Sequence, residues 1–248
     1  METRSSATKG VGGRLCVIGG TMPTRRGLRY AGGMSLLITA FGAFDCGWNC
    51  SERLLDALED EREALAALWG GPVAFVRFAV DTEAVAGRLR AALAAHRPTH
   101  LLLMGQAAGR AGLLFERIAR NDRDLRAPDA CGRCGALGPV DPAGPETRVA
   151  TWPDLAGAVA RLASEGLPVA LSDDAGRHLC NQTLYLALGV EGLNAVFLHL
   201  PLLPEQAAEG LPAAQGGRPT LPLDDMRRAV RALLLHSRRS AAASAAES

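Results

Sequence analysis

The chain has 248 residues, 48% of them hydrophobic and 21% charged, with a formal net charge of +1. That length can bury the full core of one large α/β domain, and so neutral a balance excludes nucleic acid or an anionic membrane surface as a partner. No apolar run reaches the roughly 20 residues needed to cross a bilayer, and Leu15–Gly19 is too short for the apolar core of a secretory signal. The expected location is therefore cytoplasmic, with the six cysteines as reduced thiols.

Residues 1–33 are rich in Gly, Arg, Ser and Thr and carry no sustained period, which predicts a disordered extension and makes Met34 a candidate initiator. A strand is predicted over Leu36–Phe41, a helix over Ser51–Leu68, a strand over Val73–Val80, a helix over Thr82–His96 and a strand over His100–Met104. From Leu125 to Thr151 many Pro and Gly residues and no clear period predict a long loop, of the kind that covers a site. Then come a helix over Asp154–Glu165, a strand over Val169–Ser172, a helix over His178–Leu188, a strand over Ala195–Leu200 and a helix over Leu223–Leu234. The Ala- and Ser-rich tail 237–248 is expected to be disordered. The β-α alternation between these ends predicts an α/β fold: one domain over 34–236, a three-layer αβα sandwich with a largely parallel central sheet.

Sites in such sheets gather at the carboxyl ends of the strands, and Phe41, Gln106, Cys180 and His199 fall at or just past those ends. Cys180 follows an apolar strand and the turn at Gly176, at the start of a helix-like stretch. There the helix's partial positive charge and unpaired N–H groups favour a thiolate and can hold an oxyanion. His199, at the end of the next strand, can form a thiolate–imidazolium pair with it. His178 is a rival base, but residues two apart on a tight turn face different sides. His96, His100 and His236, with no acid or thiol near them in sequence, are expected at the surface. Taken singly the same residues have ordinary readings: Cys180 as a small core residue, Glu116 as a partner for Arg120 on an exposed helix, Phe41 and Phe44 as core, Arg126 as a solvated charge.

Several blocks occur together and in order: Met104-Gly-Gln106-Ala-Ala-Gly109-Arg110, Phe115-Glu116-Arg117 through Asn121, Arg126-Ala-Pro128-Asp129, Ala175-Gly176 through Cys180-Asn181 to Tyr185, and Phe197, His199, Pro201 with Pro204-Glu205-Gln206. In these the chain resembles the type I pyroglutamyl peptidases, the C15 cysteine peptidases, over residues 36–235. The resemblance implies Cys180 as nucleophile, His199 as general base and then acid, Glu116 as the group that orients the imidazole, and Arg126 as a stabiliser of the oxyanion. It implies Phe41 and Phe44 as walls for a pyrrolidone ring, and Gln106 as a residue whose backbone helps hold the lactam. Asn49 is a looser match to a residue that binds the lactam carbonyl, because its loop is one residue shorter.

The implied substrates are peptides with an N-terminal pyroglutamate, with no cofactor and no metal, and the implied assembly is a homo-oligomer, a tetramer. The chain departs from the family pattern at Ala43, at Asp45-Cys46 and at Ala130-Cys-Gly-Arg-Cys134, all near the expected pocket. Two alternatives follow from those departures: a hydrolase or acyltransferase of the same fold with another substrate, or a non-catalytic protein binding a metal through Cys46, Cys50, Cys131 and Cys134.

Overall fold

Every residue of the run Leu36–Phe41 is buried, and so is nearly every residue from His100 to Gln106, because these strands lie at the centre of a sheet covered on both faces. The structure is a computed structural model that describes residues 33–44 and 47–246; the expectations for residues 1–32, and the role of Asp45 and Cys46, lie outside the described residues. In chain order the elements are β1 (Leu36–Phe41), α1 (Cys50–Asp60), α2 (Arg62–Trp69), β2 (Val73–Phe78), α3 (Val85–His96), β3 (His100–Gln106), β4 (Leu113–Glu116), β5 (Ile118–Arg120), β6 (Arg123–Leu125), β7 (Gly135–Gly138), β8 (Thr147–Val149), α4 (Leu155–Ser164), β9 (Val169–Ser172), α5 (Leu179–Ala187), β10 (Asn194–Leu200), α6 (Pro204–Ala208) and α7 (Leu223–Ala246).

The main sheet runs β2-β1-β3-β10-β4-β9, parallel except where β4 opposes β10. Alternation along the strands divides the core in two. Leu36, Ile38, Leu102, Met104, Val196 and Leu198 pack beneath α1, α2, α4 and α7, whereas Leu37, Phe41, Leu101, Leu103, Ala195 and Phe197 pack against α3 and α5. The expected three-layer αβα sandwich is what this describes.

Four local expectations are corrected. The predicted helix 51–68 breaks at Glu61, whose carboxylate leaves the helix register to take Arg227 and Arg231 of α7. The predicted loop 125–151 contains strand pairing: β7 pairs with β6, and β8 pairs with β5. The tail expected to be disordered from Ser237 continues α7 to Ala246. Alanine is the strongest helix former, and Ser237 is buried where its hydroxyl accepts the Trp152 indole N–H at 2.9 Å. His100, expected at the surface, is buried between the rings of Trp69 and Trp152, and that burial lowers its pKa to about 4. Among the described residues no helix is long and apolar enough to cross a membrane.

Candidate active site

The catalytic geometry follows from strand register. On antiparallel β10 and β4, Phe197 lies opposite Glu116, so their side chains share a face, and His199, two residues on from Phe197, shares it too. That face is the one α5 covers, and Cys180 lies in the first turn of α5. Three groups from three elements therefore converge. His199 Nδ1 donates to Glu116 Oε1 at 2.7 Å, which leaves the other ring nitrogen to hydrogen-bond the Cys180 thiol.

Glu116 is fully buried. It sits on a strand rather than on the exposed helix of its ordinary reading, and Oε2 has no partner among the described residues. Burial by itself would lower the His199 pKa. The charge and hydrogen bond of Cys180, joined by those of Glu116, outweigh it and raise the value to about 9. The imidazole is thus held as a cation at neutral pH, the state that keeps a thiolate beside it.

Several residues that the motifs contain but whose roles they do not reveal position this trio. Gly105 faces His199 in the β3–β10 register. A Cβ there would lie 3.0 Å from Cys180 Sγ and 2.8 Å from the Phe197 ring, so only glycine lets the thiol lie on the sheet. Asn181, fully buried, fastens α5 to the segment just after Glu116. Its Oδ1 accepts Arg120 N–H at 2.8 Å, and its Nδ2 donates to the carbonyls of Arg120 and Asp122 at 2.8 and 3.0 Å. The clue in the sequence was its place next to the cysteine. Nothing there revealed its partners.

Two cavities open on Cys180. The smaller, about 240 Å³, is walled by Phe41, Phe44, Val80, Asn49, Gln106, His178 and Leu179; it is below the roughly 300 Å³ at which drug-sized sites begin. The larger, about 660 Å³, also reaches His199 and carries Arg110, Arg126, Ala127 and Arg177 on its walls. All eight site residues expected from the sequence thus reach this centre: Glu116 through His199, and the others on cavity walls.

The polar groups around the smaller cavity are partly committed. Asn49 caps α1, its Oδ1 accepting both the N–H and the hydroxyl of Ser51 at 3.0 and 2.8 Å. Gln106 Oε1 accepts Cys50 N–H at 3.1 Å and Gln206 Nε2 at 2.8 Å, joining β3 to α1 and α6. His178, set aside as a base, does not face the thiol. Its ring lies 5.4 Å from that of Phe44, and Nε2 is 3.2 Å from the Ala127 carbonyl.

The four-cysteine metal reading finds no support among the described residues. Cys50 is buried and donates to the Pro201 carbonyl, whereas Cys131 and Cys134 are exposed and donate to Asp81 and to the Leu125 carbonyl. No group of three or more His, Cys, Asp or Glu among those residues is placed to hold a metal ion.

The pyroglutamyl peptidase family, Peptidase C15, matches residues 34–239. The chain belongs to the pyroglutamyl peptidase family. A pyrrolidone-carboxylate peptidase of Levilactobacillus brevis is 34% identical over 211 residues, 82% of this chain and 98% of the relative. Another, of Caldanaerobacter subterraneus, is 33% identical over 204 residues, 79% of this chain and 94% of the relative. The crystal structure of pyrrolidone carboxyl peptidase from Thermus thermophilus superposes with a TM-score of 0.71 at 35% identity, covering 81% of this chain and 99% of that one. Membership of the pyroglutamyl peptidase family therefore rests on nearly the whole described chain, not on the cysteine motif alone.

Proposed function

We propose that this chain is a cysteine exopeptidase that hydrolyses the amide bond after an N-terminal pyroglutamyl residue, with Cys180 as nucleophile, His199 as acid and base, and Glu116 as the orienting carboxylate. The observation that carries the reading is the contact of His199 with both Glu116 and Cys180 at the mouth of a small aromatic-walled cavity. Pyroglutamate is a flat, uncharged lactam with one N–H and one C=O, and a slot between Phe41 and Phe44 with a few polar groups suits it. Ser51 fixes the oxygen side of the Asn49 amide, so Nδ2 is the atom left to donate to the lactam carbonyl.

With the ring held, Sγ attacks the adjacent acyl carbonyl, and the oxyanion is met by N–H groups at the start of α5 and by Arg126 from the larger cavity. Collapse breaks the C–N bond, and His199 gives its proton to the departing amine. Water then attacks the thioester, His199 takes a proton from it, and pyroglutamate and the free thiol are released. The peptide beyond the scissile bond occupies the larger cavity. Residues 34–236 are read as one catalytic domain, and the reduced cysteines support a cytoplasmic setting; a tetrameric assembly is part of the same reading and is checked by native mass spectrometry.

The test is turnover of a fluorogenic pyroglutamyl amide. Wild type is expected to hydrolyse it, Cys180→Ala to show none, and His199→Ala to lose at least about 100-fold. A Cys180→Ala protein that retained turnover would refute the assignment.

A further inference from the structure

A lactam presents an acceptor and a donor, and a slot selective for it must answer both. The donor for the lactam carbonyl is Asn49 Nδ2. The acceptor for the lactam N–H is not either amide oxygen, because an amide oxygen takes two hydrogen bonds and both already have two: Asn49 Oδ1 from Ser51, and Gln106 Oε1 from Cys50 and Gln206. One side-chain acceptor on the wall of the slot remains. We propose that His178 is a specificity-determining residue whose Nδ1 lone pair accepts the lactam N–H.

Three observations set that atom in place. The Ala127 carbonyl, 3.2 Å from Nε2, can only accept, so the ring proton sits on Nε2 and Nδ1 carries the lone pair. Ala127 borders only the larger cavity, while His178 borders both; the edge of the imidazole turned away from Ala127 therefore lies toward the ring slot. Finally, Nδ1 does not cap α5, although His178 is that helix's N-cap residue, and it has no partner among the described residues.

The neighbours make the orientation rigid. The Phe44 ring stacks on the imidazole. The loop that supplies the Ala127 carbonyl is anchored by Asp129, which accepts the N–H groups of Thr82, Cys131 and Arg133 at 3.0, 2.9 and 2.9 Å. Neutral imidazole is also the form that burial favours, since it lowers the His178 pKa despite the raising effects of the Ala127 carbonyl and Asp129.

The inference rests on the pyroglutamyl reading of the slot, and its test separates the two. Two fluorogenic amides are compared: that of pyroglutamate, and that of 5-oxotetrahydrofuran-2-carboxylic acid, whose ring oxygen replaces the lactam N–H. Wild type that hydrolyses neither would defeat the substrate assignment itself. Wild type is expected to favour the lactam in kcat/KM, and His178→Phe, which keeps an aromatic ring against Phe44, is expected to lower the lactam-to-lactone ratio about tenfold. A merely structural role would lower both substrates alike; an unchanged ratio overturns the proposal.

Should that variant not fold, wild type labelled with ¹⁵N-histidine serves instead. The Nδ1 resonance of His178 is expected to shift on adding pyroglutamate and to stay in place with the lactone acid. A resonance that ignores pyroglutamate overturns the proposal equally.

Discussion

Gly105 shows how closely single atoms control this site. An added methyl would meet the thiol at 3.0 Å and the buried Phe197 ring at 2.8 Å, and one of them must move. Gly105→Ala is expected to cost about 1–3 kcal/mol of stability through overpacking and to lower kcat/KM by about tenfold or more, since misplacing a reacting atom by about 1 Å can cost about 100-fold. Urea denaturation and turnover, measured together, check both. His199 gives a pH prediction of definite sign. The folded protein holds this proton up to about pH 9, whereas the unfolded chain releases it near the model value of 6.5. The stabilisation is therefore complete below pH 6.5 and is lost as pH rises through 9. Over the same window kcat/KM should fall, because the departing amine loses its acid. The difference in melting temperature between wild type and Glu116→Gln should narrow from pH 6 to pH 10.

At the scale of elements, the nucleophile's helix is fastened by Asn181 to the strand that follows Glu116. Asn181→Ala is expected to cost about 1–3 kcal/mol for each buried backbone partner left unmet. It should also reduce kcat more than KM; thermal melts and steady-state kinetics test the two effects. The elements show what a sequence can reveal. The buried parallel strands and the amphipathic helices were legible because continuous apolar runs and three-to-four spacing are local signals. β4 was not: Leu113–Glu116 is only four residues long, runs against its neighbour β10, and owes its burial to β10 and β9 on either side. For the same reason Glu116 could be assigned a role by motif yet not placed on a strand. The need for glycine at 105 was hidden because the colliding atoms arrive from α5 and β10, distant in sequence. His178 was correctly set aside as a base, but its link to Ala127 depends on a loop folded back by Asp129, which no periodicity announces.

On the scale of the whole molecule, α7 closes the layer opposite the site, and its hold on the core does not end where the apolar period fades. Ser237 meets Trp152, and Arg238 donates to the carbonyls of Ala67 and Leu68 at the end of α2. Removing residues 237–248 should therefore leave the buried Trp152 N–H unmet and lower stability by about 1–3 kcal/mol, while removing only 241–248 should change little. Calorimetry of the two truncations tests this. Reading the tail by composition alone misjudged it, because repetitive Ala and Ser describe a floppy chain and a continuing helix equally well until the preceding helix is known to be docked.

The nucleophile rides on a helix while its base and carboxylate belong to the sheet beneath. The distance that matters for chemistry is thus a spacing between layers, enforced by side-chain packing rather than by covalent links. A slip of α5 too small to register as lost helix content would already separate sulfur from imidazole. Heat or pressure should therefore silence the enzyme before it melts the protein, which makes catalytic output a finer gauge of interlayer seating than any spectroscopic measure of fold.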